Sequence, residues 1–147
     1  MEDIRAVKVP TKDEFLAYDG AHCFRLWEKV GAFWRCPSCR RNKFQILRWA
    51  ARRHQKTNAK FFGWMAGLHR HHDHSAELSG SGSTRFSSVV ICDQCNGADG
   101  AAKKKLGLPP DFSFSPEEIG GFVIARAHEK HELIYGAAKE IYARAQR

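Results

Sequence analysis

Val89-Val90-Ile91-Cys92-Asp93-Gln94-Cys95-Asn96-Gly97 is the stretch on which the fold turns. Its β-branched start favours a strand, and residues 85–91 read as one. From Cys95 onward the composition turns helical, although Gly97 and Gly100 weaken that tendency by about 1 kcal/mol each relative to Ala. Gly107 and Pro109-Pro110 then end the helix. Cys92-x-x-Cys95 has a counterpart upstream in Cys36-Pro37-Ser38-Cys39, with 52 residues between the two pairs. A Cys-x-x-Cys turn offers two thiolates to one side of an ion, and two such turns complete a tetrahedral set. The spacing predicts a structural Zn²⁺ held by Cys36, Cys39, Cys92 and Cys95, the segment between them folding as a unit. The alternative is two unrelated surface turns or a redox pair. Cys23, left over, is most simply a small buried hydrophobe.

Between the two cysteine pairs lies His69-Arg70-His71-His72-Asp73-His74, four of the chain's eight histidines. Residues 61–72, rich in aromatics, read as a strand running into this cluster, and Ser79-Gly80-Ser81-Gly82-Ser83 as a flexible loop before the partner strand. On a strand, His72 and His74 share one face, and His71 and Asp73 the other. A second structural metal site or a surface histidine tract is the bland alternative.

The order of parts is Cys-x-x-Cys, strand, histidine cluster, loop, strand, Cys-x-x-Cys-Asn and helix. It resembles the HNH, or ββα-metal, nucleases, and in particular the phage recombination endonuclease VII branch. The strings that carry the resemblance are His71-His72-Asp73-His74 and Cys92-Asp93-Gln94-Cys95-Asn96-Gly97-Ala98-Asp99-Gly100, and it spans about residues 36–106. It implies an α+β fold whose zinc-braced ββα-metal (HNH/His-Me finger) core is flanked by N- and C-terminal helices. It further implies that His72 is the general base that deprotonates the attacking water, a task suited to imidazole. His71, where that branch usually has Asp, and Asn96 would hold one divalent cation. His74 would be a further active-site residue. Mg²⁺ or Mn²⁺ is the implied catalytic cation, and His at position 71 shifts the preference toward softer ions such as Mn²⁺ or Ni²⁺. A second register takes Asp73-His74 as the ligand and base pair. No Asn lies between His74 and Ile91, so Ser87, Ser88 or a backbone carbonyl would have to orient the base.

Charge fits a polyanionic partner. The 147 residues carry 24 Lys and Arg against 16 Asp and Glu, a net charge of +8. Residues 36–105 hold thirteen of the basic and four of the acidic side chains, and residues 40–60 hold eight basic and none acidic. Arg40, Arg41, Lys43, Arg48, Arg52, Arg53 and Lys56, together with Lys103, Lys104 and Lys105 on the helix, are the expected phosphate contacts to DNA. A solvated face is the ordinary fate of such charge. Trp49 and Trp64 suit base stacking or, more simply, core packing.

The chain length fits one domain: a helical segment 1–35, a nuclease core 36–108 and a helical segment 109–147. Thr11-Lys12-Asp13-Glu14 is a capping box that opens a helix at Lys12, and Phe24, Trp27 and Val30 recur at helical spacing over residues 20–30. Ser115-Pro116-Glu117-Glu118 opens the tail, expected as two helices or one broken helix from Ile119 to Gln146. No apolar run is long enough to span a membrane, and Met1-Glu2-Asp3-Ile4-Arg5 lacks a signal-peptide pattern, so a cytoplasmic protein with no membrane partner is expected. A DNA endonuclease is the leading expectation. A homodimer cutting both strands and action within larger phage or defence machinery are both compatible with it. The alternatives are a non-catalytic zinc module that binds nucleic acid and a nuclease acting on RNA.

Overall fold

The computed structural model describes residues 6–73 and 84–146; His74 and the tract 79–83 lie outside them. The Thr11 hydroxyl accepts from the Glu14 amide and the Glu14 carboxylate from the Thr11 amide, which starts helix α1 (Lys12–Glu14). A wider turn, Phe15–Asp19, leads to α2 (Ala21–Lys29). Strands β1 (Arg48–Arg53) and β2 (Lys60–Met65) form one antiparallel hairpin, and β3 (Leu68–His71) and β4 (Val89–Cys92) a second. α3 (Asp93–Leu106) follows β4 without a linker and ends at Gly107, whose φ of 63° supplies the left-handed cap. Then come α4 (Pro116–Gly120), a two-residue hairpin of β5 (Val123–Ile124) and β6 (Glu132–Leu133), and α5 (Tyr135–Ala145). The described residues thus form a mixed α and β fold, and no helix among them is long and apolar enough to cross a membrane.

Two expected elements divide differently. The strand expected over 61–72 is two strands, broken at Ala66-Gly67, each paired with a different partner. At Gly67 the chain passes so close to the start of α3 that an added Cβ would lie 2.6 Å from the Asp93 Cβ, and the Gly67 carbonyl accepts from the Asp93 amide at 2.9 Å. The tail holds two helices as expected, but α4 ends at Gly120-Gly121 and residues 123–133 between them form a hairpin that brings His131 to Cys95 rather than helix.

One buried cluster draws from all three segments, from Phe15, Cys23 and Leu26 through Leu47, Leu68 and Ile91 to Phe114, Ile119 and Phe122. Cys23 belongs to it, as its chemistry suggested. Its sulfur bridges the Ala66 carbonyl and the Leu68 amide at 3.4 Å each, and burial pushes the thiol up to about 11. Residues 112–115 thread between the second hairpin and α3. There the Arg85 guanidinium reaches the Ser113 carbonyl at 2.5 Å and the Glu118 carboxylate at 2.8 Å, while Glu118 also closes the α4 capping box.

Burial would raise the Glu118 carboxyl, but Arg85 and the Ser115 amide outweigh it and hold the group below its ordinary range. A carboxyl depressed in the fold contributes stability that is present at neutral pH and lost as pH falls through the carboxylate range. Glu118→Gln is therefore expected to cost about 1 kcal/mol at pH 7 in urea denaturation. The gap from the parent chain should close as the pH is lowered toward 4.

Candidate metal centre and the histidine hairpin

The sulfur atoms of Cys36, Cys39, Cys92 and Cys95 all lie within 4.8 Å of one another. Two separations, Cys36 to Cys95 and Cys39 to Cys92, are 3.8 Å. A tetrahedron with zinc–sulfur bonds of about 2.3 Å has edges of about 3.8 Å, so donor type and spacing both fit zinc. Cys36–Cys39 sits on a tight turn in which the Arg40 amide donates to the Cys36 carbonyl at 2.8 Å and the Cys36 amide to the Arg41 carbonyl at 2.9 Å. Arg40 takes a left-handed φ of 67° to close that turn. The other pair uses the strand-to-helix junction, with Cys92 capping α3 and Cys95 in its first turn. The positive end of a helix favours thiolates there.

Arg41 requires a correction. Expected on a DNA-binding surface, it is 5% exposed. Its Nε donates to Cys39 Sγ at 3.3 Å, its Nη2 to Cys92 Sγ at 3.5 Å, and its Nη1 to the carbonyls of Arg126 and Glu129 at 3.0 and 3.3 Å. Burial opposes the guanidinium charge, and the cysteine sulfurs outweigh that cost. Four thiolates around a dication leave negative charge in excess, which a buried cation offsets. His131, unremarked in the sequence, packs from the β5–β6 hairpin with Nε2 3.2 Å from Cys95 Sγ. The four thiols hydrogen-bond to one another within the cluster. Cys39 is pushed far down because the Cys36, Cys92 and Cys95 thiols donate to it, whereas Cys92 and Cys95 are pushed up by their bonding with Cys36 and Cys39. Cysteine binds zinc as the thiolate, so metal uptake would displace protons.

The histidines lie at the end of β3. His69 is exposed, and its Nε2 meets Asp93 Oδ1 at 2.9 Å, a bond that heads the causes lowering the Asp93 carboxyl. His71 is 3% exposed, stacked on Phe86 at 5.2 Å, with Nε2 2.6 Å from the Phe114 carbonyl. A carbonyl only accepts, so Nε2 is the donor of this bond, and in the neutral ring the lone pair is on Nδ1. His72 is half-buried beyond the last paired residue. Asp73 is buried, and its carboxylate accepts from the Arg85 amide at 2.6 Å. Asn96 is half-buried on the first turns of α3, and one turn further Asp99 accepts from the Phe114 amide at 2.8 Å. Among the described residues, the four cysteines are the one group of three or more His, Cys, Asp or Glu side chains gathered closely enough to hold a metal.

The other expected phosphate contacts divide into two groups. Lys43 donates to the Trp27 carbonyl at 2.5 Å and lies over the Trp27 ring, Arg52 pairs with Asp19 and Asp93, and Lys103 pairs with Asp99 at 3.1 Å. Arg40, Arg53, Lys56, Lys104 and Lys105 are exposed, and Arg48 is half-buried.

Partners just outside a metal's ligands commonly contribute about 10- to 100-fold to its affinity. Arg41→Gln should weaken zinc retention by about that factor in competition with a chromophoric chelator. Cys95→Ser should fail to hold one zinc per chain by elemental analysis. No family model, curated protein or solved structure matches the chain.

Proposed function

We propose that the chain is a zinc-braced HNH endonuclease that hydrolyses DNA phosphodiesters with one divalent cation. The observation that carries this reading is the bonding of His71. A metal-binding histidine usually donates its second ring N–H to a carbonyl or carboxylate, which fixes the tautomer and aims the other nitrogen. The His71 Nε2 bond to the Phe114 carbonyl does this and leaves Nδ1 as the ligand atom. β4 runs directly into α3, which carries Asn96, the second expected ligand. The Asp73 carboxylate is engaged by the Arg85 amide, which favours the His71-His72 register over Asp73-His74.

In this reading His72 takes the proton from water as its oxygen attacks phosphorus. The bond to the 3′ oxygen breaks, and that oxygen leaves as a hydroxyl once protonated. A divalent cation bound by His71 and Asn96 would supply charge neutralisation at the phosphate and the departing oxygen. Exposed Arg53, Lys56, Lys104 and Lys105 would grip the phosphate backbone. A second reading, a zinc module that binds nucleic acid without cutting it, is favoured by the absence of another carboxylate, histidine or cysteine cluster among the described residues.

Supercoiled plasmid incubated with Mg²⁺, Mn²⁺ or Ni²⁺ should be nicked or linearised. His72→Ala should slow this at least about 100-fold, the usual contribution of a general base. Zinc content and melting temperature should stay those of the parent chain. Unimpaired cutting by the variant would sink the assignment of His72. An intact plasmid under every metal, with DNA binding retained, would select the second reading.

A further inference from the structure

The outward face of the β1–β2 hairpin enters the hydrolytic reading only through Arg53. Cross-strand partners Trp49 and Trp64, Ala51 and Phe62, and Arg53 and Lys60 alternate with Ala50, Gly63 and Met65, which are buried on the other side. Phe62 is 53% exposed, and Lys60 Nζ lies over its ring at 5.1 Å. Trp49 meets Trp64 edge to face at 5.8 Å, and Trp64 meets His128 at 5.6 Å. Phe44, 52% exposed, continues the row against His128 at 4.9 Å. The result is a line of aromatic rings bordered by cations.

Arg53 and Lys60 sit directly opposite each other in the ladder. Like charges so placed oppose each other across a hairpin; Arg53 Nη1 donates to the Asn58 carbonyl at 3.0 Å, and a phosphate would add the negative charge that a neutral carbonyl lacks. Residues 40–60 supply no carboxylate to do so. Glu14, at the edge of this face, is engaged by Lys8 at 3.4 Å and by its own capping box. A second copy of the chain docked face to face would bring the same cations together. A single-stranded nucleic acid offers what both features need, flat π surfaces for the rings and phosphates for Arg53 and Lys60.

We propose that this face binds an unpaired stretch of nucleic acid, with a base stacked on the exposed ring of Phe62 and phosphates on Arg53 and Lys60. The site goes beyond the hydrolytic one and stands whether or not the chain cuts DNA.

The test is fluorescence anisotropy with labelled 15-residue oligothymidylate, oligouridylate and a duplex of equal length. It uses zinc-loaded protein with no other divalent cation added. Phe62→Ala removes an exposed ring, so its melting temperature should match the parent's. Its affinity for oligothymidylate should fall about 5- to 100-fold, the range for loss of one stacked base, with duplex affinity little changed. Arg53→Gln with Lys60→Gln should flatten the salt dependence by roughly 1.4 in log–log slope. Comparable binding of oligouridylate, or a preference for either sugar, supports the proposal and sets its chemistry. Unchanged oligothymidylate affinity in Phe62→Ala would overturn it. Wild-type binding to anionic vesicles but not to oligonucleotides, or a dimer that Phe62→Ala dissolves, would overturn it too. Plasmid cutting by the same preparations separates this outcome from the fate of the nuclease reading.

Discussion

Four sulfur atoms drawn from two turns 52 residues apart hold the middle of this chain, and most of what surrounds them is arranged to let them approach. Thiols this close cannot all ionise without a cation between them, and a cation there leaves negative charge that needs donors. Arg41 and His131 supply contacts from opposite ends of the sequence, so the cluster joins the first turn, the β4–α3 junction and the β5–β6 hairpin at one point. The hairpins of the described residues share no sheet, and a two-stranded hairpin alone is marginal in water. The cysteine cluster and the packing of Leu68, Ile91 and Phe114 take the place of a continuous sheet.

Phe114 performs a similar service at the histidine end. Its amide donates to Asp99 on α3 and its carbonyl accepts from His71 on β3, so one fully buried residue fixes strand, helix and imidazole tautomer together. The tether from Arg85 to Ser113 and Glu118 clamps the same segment from the loop side. An imidazole held this way has one orientation, which is the property a ligand or a positioned base requires.

The local signals in the sequence translated well. Both capping boxes, the left-handed Gly107 and the Cys-x-x-Cys pairs are short patterns whose chemistry is complete within a few residues, and each forms as expected. The misses were non-local. The strand across 61–72 breaks because Gly67 must accommodate Asp93, a contact that no window of residues 61–72 contains. The tail hairpin has strands of only two residues, too short for a period to show. Arg41 looked like surface charge because its acceptors are sulfurs and carbonyls far along the chain. A signal was present nonetheless: a four-thiolate centre carries excess negative charge, and a basic residue two positions beyond Cys39 is a candidate to offset it. For the histidines, the candidate residues and their order were legible in the local string. The orientation of His71 depends on Phe114, more than forty residues away.

The arrangement of the cysteine cluster also dictates when it can be assembled during synthesis. The ligand set is incomplete until Cys95 has been made, and its outer donors until His131 has emerged. Bringing the two turns together closes a loop of 52 residues, an entropic cost of about 3–4 kcal/mol before any constant term, small beside the roughly 10–16 kcal/mol that a structural zinc site releases. Cys95 is made 59 residues after Cys36, so a zinc cross-link there would form only after both intervening hairpins have been synthesised.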